Sequence, residues 1–561
     1  MPRKHRPSRA RETKACRACA AAKVRCETRN GTHGDGDQER SGACSRCFRL
    51  GRECEMQSLG AHKRVGNAPV SEGSKAPYAY RDAEDVPALL ARLCEGIVSS
   101  LSEKEAQRIL YTYQTQLSPY FPFVMISMDT SISDLRTRKP FLVSVIIMIL
   151  STQGSDPASQ SEGYIDIAHR ISEFITNSVV GRGSKSLDIL QGLLVCLGWY
   201  HLAFEVGCQI ELNTLIHIAV AMLGDLGLNK KPNATERAAP SLFGDISTEH
   251  GPGEWEGQRT LDERRAYLGV FYTSAMTSRC HGNMVAMRYT NYTEECCQAI
   301  EKAANTPIDL YPVRLARLSQ SADALDSVIS RNGRIAVPGY HSPPPLALIQ
   351  TLEAELQHLK PPFPAITIHD SLLLLHAHHT EIILYRYALS EDFLTRHGSL
   401  PERTELLSHC LTATKAFLDV FASISPRCYI NIPCPVFAAY SHALATASDL
   451  LLFPGENWDV KLSQSVLDLP VVVERTVSII EESARTSSTQ QPPYHFSKAF
   501  VKMIPRLRAF IASHHARSAA LNDHTPAQPD EPDKDMASHD TLRDMIFQLP
   551  HGFSWRFLHP R

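Results

Sequence analysis

Residues 16–26 read CRACAAAKVRC, and residues 44–54 read CSRCFRLGREC. Each is Cys-x2-Cys-x6-Cys, so one spacing occurs twice, with 17 residues, Glu27 to Ala43, between the copies. Thiols at Cys-x2-Cys spacing can grip one metal ion, and a soft thiolate donor set points to tetrahedral zinc. Two independent zinc ions need eight ligands. Six serve two ions only where two sulfurs are shared. A disulfide framework needs an oxidising compartment, and the opening MPRKHRPSRARETK has no apolar segment to act as a secretory signal. A redox Cys-x2-Cys belongs beside a βαβ pattern, and none is near.

The duplicated unit resembles the fungal binuclear zinc cluster, Zn2Cys6, the DNA-binding module of a large family of fungal transcription factors. The resemblance rests on the six cysteines, on the first half's ending at Lys23, Arg25 and Cys26, and on the whole of CSRCFRLGREC. It implies two Zn2+ per chain with Cys16 and Cys44 bridging. Cys16, Cys19, Cys26 and Cys44 would then hold one ion, and Cys16, Cys44, Cys47 and Cys54 the other. Each half is implied to form a short helix, the first of which enters the major groove and reads a CGG triplet. Lys23 stands at the family's base-reading position, where guanine O6 and N7 suit a lysine donor. Arg17 and Arg25 fall to phosphates, which set register without reading sequence. Two departures stand out: the spacer is longer than the family's and lacks its usual proline, and Ala20, Ala21 and Ala22 replace residues that are often basic. The longer loop costs only about 1 kcal/mol in closure entropy, against roughly 10–16 kcal/mol of apparent zinc binding in small finger peptides.

Charge divides the chain in the same place. Residues 1–64 hold 16 Lys/Arg and seven Asp/Glu, a balance of +9; with the whole chain at −2, the remainder carries −11. A basic head on a mildly acidic body suits nucleic-acid binding. The arm, residues 1–15, contributes Arg9, Arg11 and Lys14 as phosphate contacts, and its basic run doubles as a nuclear localisation patch. The cluster domain spans 16–54. Residues 55–85 are polar and rich in Gly, Ala and Ser, the composition of a flexible linker.

Residues 86–515 read as one large all-α domain. Val86, Leu90, Leu93, Ile97 and Leu101 recur at helical spacing but over too few heptads for a coiled coil. Ser102 and Glu105 form a capping-box pattern that opens the next helix. Long apolar periods follow near 141–152, 161–179, 186–203, 209–227, 261–283, 311–330, 367–392, 402–422, 434–453, 471–485 and 496–514, with loops such as 244–260 and 341–345 between them. The run FLVSVIIMIL at 141–150 is half a membrane span, so it reads as a buried core helix. Stretches such as LSEKEAQRILYTYQTQLSPYFPFV and ERRAYLGVFYTSAMTSR resemble the regulatory middle homology domain of the same family. Residues 516–540 have the composition of a disordered linker, and 541–561 suit either an activation segment or a docked terminal helix.

No Gly-x-Ser-x-Gly, His-Glu-x-x-His or phosphate-loop pattern occurs, and GRGSKS at 181–186 reads as a turn between helices. His369, His376, His378 and His379 lack a ligand partner at matching spacing, and the nine remaining cysteines lie in apolar stretches, so both sets read as packing residues. The chain is therefore expected not to be an enzyme. It is expected to be a nuclear, zinc-dependent, sequence-specific regulator of RNA polymerase II genes, controlling a metabolic pathway or gene cluster. The partners implied are double-stranded DNA and transcription machinery or co-regulators, with a homodimer left open and no membrane. The alternative is a zinc-stabilised protein-interaction module with no DNA target of its own.

Overall fold

The computed structural model describes residues 44–50, 86–98, 101–151, 157–231, 259–281, 285–334, 345–361, 367–390, 393–394, 399–489 and 498–522. The chain divides into two units, Met1–Asp82 and Ala83–Arg561. In the first, the described residues form one short helix, Ser45–Arg49. In the second, every regular element among the described residues is helical.

The second unit is built around the run singled out above. Helix Pro140–Ser151 is apolar on every side, and Phe141 to Leu150 are all buried. A helix without a polar face belongs inside a protein of this size. Its first amides would be orphaned there, but Asp188 accepts from Phe141 N–H at 3.0 Å and from Leu142 N–H at 2.9 Å. Helix Leu187–Gly198, which carries Asp188, packs along it. Gly192 permits the close approach: a Cβ there would lie 2.4 Å from the Phe141 ring.

An aromatic group joins this layer to its neighbours. Trp199 is fully buried, meets Phe121 edge-on at 5.9 Å, and donates its indole N–H to the Asn431 carbonyl at 3.1 Å. Phe123 stacks on Tyr272 at 5.4 Å. A second layer sets helix Ile368–Arg386 against Leu400–Ser423 and Pro307–Arg334, with Cys434–Leu451 closing on both Leu400–Ser423 and Leu261–His281. Among the described residues, no helix is long and apolar enough to cross a membrane.

All eleven long segments expected from apolar periodicity carry helix. Ser102 caps Glu103–Thr112 by accepting from Glu105 N–H at 3.3 Å. Several details differ from expectation, among them short helices Ile132–Arg138 and Val460–Val466 where none was read. Helix Asn291–Ala303 lies where none was read, capped reciprocally by Thr290 and Thr293 and buried through Cys296, Cys297 and Ile300. Helix Pro345–Leu359 begins inside the stretch taken as a loop, because proline fits the first helical position. The last helix, Lys498–Asn522, runs past residue 515, since its buried His514 bonds Ser448 at 2.9 Å and anchors the final turns.

Candidate metal centre

Of the six cysteines in the duplicated unit, Cys44 and Cys47 are among the described residues. Both are 2% exposed. Helix Ser45–Arg49 places them one turn apart, and Cys47 N–H points at Cys44 Sγ at 3.5 Å. A five-residue helix is far too short to persist alone in water. Something beyond helix propensity must fix it, and two buried sulfurs on one turn, one already receiving an amide, suit a soft cation. Two thiols so placed fit part of a zinc donor set. Arg46 and Arg49 occupy the last turn, with Arg49 exposed.

Cys16, Cys19, Cys26 and Cys54 lie outside the described residues. So do Arg9, Arg11, Lys14, Arg17, Lys23 and Arg25, together with the 27–43 spacer and the 55–85 linker. Among the described residues, no group of three or more His, Cys, Asp or Glu side chains is arranged to hold a metal.

The histidines of helix Ile368–Arg386 prove to be packing and hydrogen-bonding residues. His376 Nε2 lies 3.1 Å from the Tyr272 hydroxyl, and His379 Nε2 lies 3.1 Å from His442 Nδ1. His442 continues to Arg386, which pairs with Asp449 at 3.3 Å. Burial, reinforced by the nearby Arg279 charge, pushes His376 and His379 down to about 3, so both are neutral at physiological pH. His369 bonds the Pro119 carbonyl at 3.0 Å, and His378 bonds Glu381 at 2.9 Å. Arg279 is held by Asp323 at 2.8 Å. Seven of the nine remaining cysteines are buried and two are half-buried. GRGSKS is a turn, with Gly183 at φ 72° and Ser186 capping the next helix. Sequence reasoning missed Asp188 and His442, because a periodicity count treats a polar residue inside an apolar helix as noise.

Comparison with known proteins adds the context. The family model described as the WAR1 C-terminal domain matches residues 93–397, more than half of the chain. The chain is 26% identical over 489 residues to transcription factor opdL of Penicillium oxalicum, covering 82% of each protein. It is 26% identical over 455 residues to transcription factor himD of Aspergillus japonicus, covering 74% of this chain and 69% of that one. With the transcriptional regulator WAR1 of Candida albicans it shares 23% identity over 440 residues, or 76% of this chain and 43% of the relative. No solved structure gives a significant match.

Proposed function

The chain belongs to the WAR1 C-terminal domain family, among fungal transcription regulators rather than enzymes, and from that premise we propose a nuclear, zinc-dependent regulator that binds DNA sequence-specifically. The observation that carries this reading is the duplicated Cys-x2-Cys-x6-Cys unit, with Cys44 and Cys47 buried on one helical turn. Cys16, Cys19, Cys26, Cys44, Cys47 and Cys54 hold two Zn2+, with Cys16 and Cys44 shared. Zinc supplies the folding energy of so small a domain. Lys23 reads the guanines of a CGG-type triplet, and Arg17, Arg25, Lys14, Arg11 and Arg9 grip phosphates. The helical body regulates RNA polymerase II genes of a metabolic pathway or gene cluster by acting on transcription machinery or co-regulators.

Lys23 and Arg9 test this in one experiment. Lys23→Ala should cost about 1–3 kcal/mol on the preferred site, found by selection from random DNA, and flatten discrimination at one base position. Arg9→Ala should weaken all sequences nearly equally and make the salt slope shallower by roughly one unit. Equal losses on specific and scrambled DNA for Lys23→Ala would make that lysine another phosphate contact. A chain that binds two zinc ions yet selects no DNA sequence is the protein-interaction module instead.

A further inference from the structure

A cleft of about 400 Å³ opens in the helical body between the segment after Tyr120 and the start of helix Leu261–His281. Its wall is pinned from behind. Tyr113 and Ser118 donate to the Val124 carbonyl at 2.8 and 3.1 Å, and Gln114 donates to the Ser127 carbonyl at 2.7 Å. The residues that carry these donors, Tyr113 to Ser118, form a π-helical turn and the residue that follows it. Such turns often accompany functional sites. The cleft is thus preformed, as ligand sites usually are.

Its lining is cationic. Arg138, Lys139 and Arg265 face a single lining carboxylate, Asp262. Lys139 pairs with Asp262 at 3.1 Å. Arg265 is only loosely held, at 3.7 Å from Asp262 and 3.7 Å from Asp309 behind it, and its Nε has no hydrogen-bond partner. Arg138 is exposed and makes no ion pair among the described residues. The hydroxyls of Ser127 and Thr130 add two more donors, and Met125, Ile126 and Leu135 make an apolar side.

We propose that this cleft binds a small tetrahedral oxyanion, a phosphate group, seated among Arg138, Lys139 and Arg265. Two guanidinium forks, an ammonium and two hydroxyls offer more donors than the two oxygens of a carboxylate can take, whereas a phosphate presents three or four oxygens to them. The apolar side leaves room for a small organic remainder. A regulatory body with such a site would respond to a phosphorylated metabolite or to free phosphate.

The test is calorimetric titration of the full-length, zinc-loaded protein with inorganic phosphate, phenyl phosphate and acetate. Saturable one-site binding of phosphate is expected, weakened about tenfold or more by Arg138→Glu and by Lys139→Ala. Arg138→Glu changes an exposed, unpaired side chain, and an unchanged melting temperature without ligand would confirm that it folds. Arg265→Lys, which keeps the charge but loses the fork, should give a smaller loss. Tighter binding of phenyl phosphate assigns an ester as ligand; equal binding assigns free phosphate. Three results would overturn the proposal: no saturable binding at millimolar phosphate, binding lost on Arg9→Ala but not on Arg138→Glu, or acetate binding as tightly as phosphate.

Discussion

The turn Ser45–Arg49 and the helix Pro140–Ser151 both bury sulfur or carbon almost completely, yet different forces hold them. Helix Pro140–Ser151 is surrounded by other helices, and Phe141 to Leu150 are stabilised by removal of apolar surface from water, roughly 25 cal/mol per Å². Ser45–Arg49 has five residues, among them Cys47, and Cys44 stands just before it; both cysteines are 2% exposed. A helical body spreads its stability over many small contacts, so it tolerates the loss of any one. A head held by metal, as proposed above, would concentrate its stability in a few bonds, so one ligand would decide whether it folds.

That contrast is broken most directly by removing the metal. Under the proposed zinc reading, chelation, or Cys47→Ser, should unfold the head, since structural zinc in small finger peptides contributes on the order of 10–16 kcal/mol of apparent binding energy. The helical signal by circular dichroism should barely change. Elemental analysis should give two zinc ions per native chain, and a value of one would end the binuclear reading.

In the body the largest single-residue effect is expected at Trp199, which is fully buried and donates to Asn431. Trp199→Ala should lower stability by about 3–5 kcal/mol in denaturant melts while zinc content stays at its native value. Loss of zinc from that variant would show that the two units do not fold independently.

The smallest effect sharpens the comparison through pH. Burial pushes the Asp188 carboxyl from 3.8 up to about 6, against the pull of the Leu142 and Phe141 amides and the Lys139 charge. Its folded form holds a proton more tightly than the unfolded chain does. The stabilisation from protonation is therefore fully present below pH 3.8 and is lost as pH rises to about 6, staying flat above that. The span is about 1–3 kcal/mol. Asp188→Asn should remove this slope, read as the difference between wild-type and variant melts across pH 4–7. An unchanged slope would place the titration elsewhere.

Much of this was legible in the chain. A run such as FLVSVIIMIL can only be internal, and long apolar periods mark their helices wherever the buried face is leucine or isoleucine. Helix Asn291–Ala303 escaped because Thr293, Cys296 and Cys297, three of its buried residues, are not the large aliphatic side chains that make an apolar period stand out. The Asp188 cap and the Arg138–Lys139–Arg265 cluster could not be read either. Each joins residues far apart in sequence, and only packing brings them together. Of the cysteine head, spacing suggests the zinc chemistry proposed above, and among its six cysteines Cys44 and Cys47 show one turn of geometry.

The chain of polar contacts from Tyr272 to His376, and from His379 through His442 to Arg386 and Asp449, has a consequence for how the helices find their places. Leucine and alanine surfaces are poor address labels, because a helix rotated or slid by one turn still meets apolar neighbours. Two imidazoles whose nitrogens meet at 3.1 Å are not so forgiving. A shift of one turn in Ile368–Arg386 would strand the buried His379 and His442, at about 1–3 kcal/mol for each orphaned group, and would part the half-buried Arg386 from Asp449. The seam thus acts as a key that admits one alignment of the helices and rejects its near-duplicates.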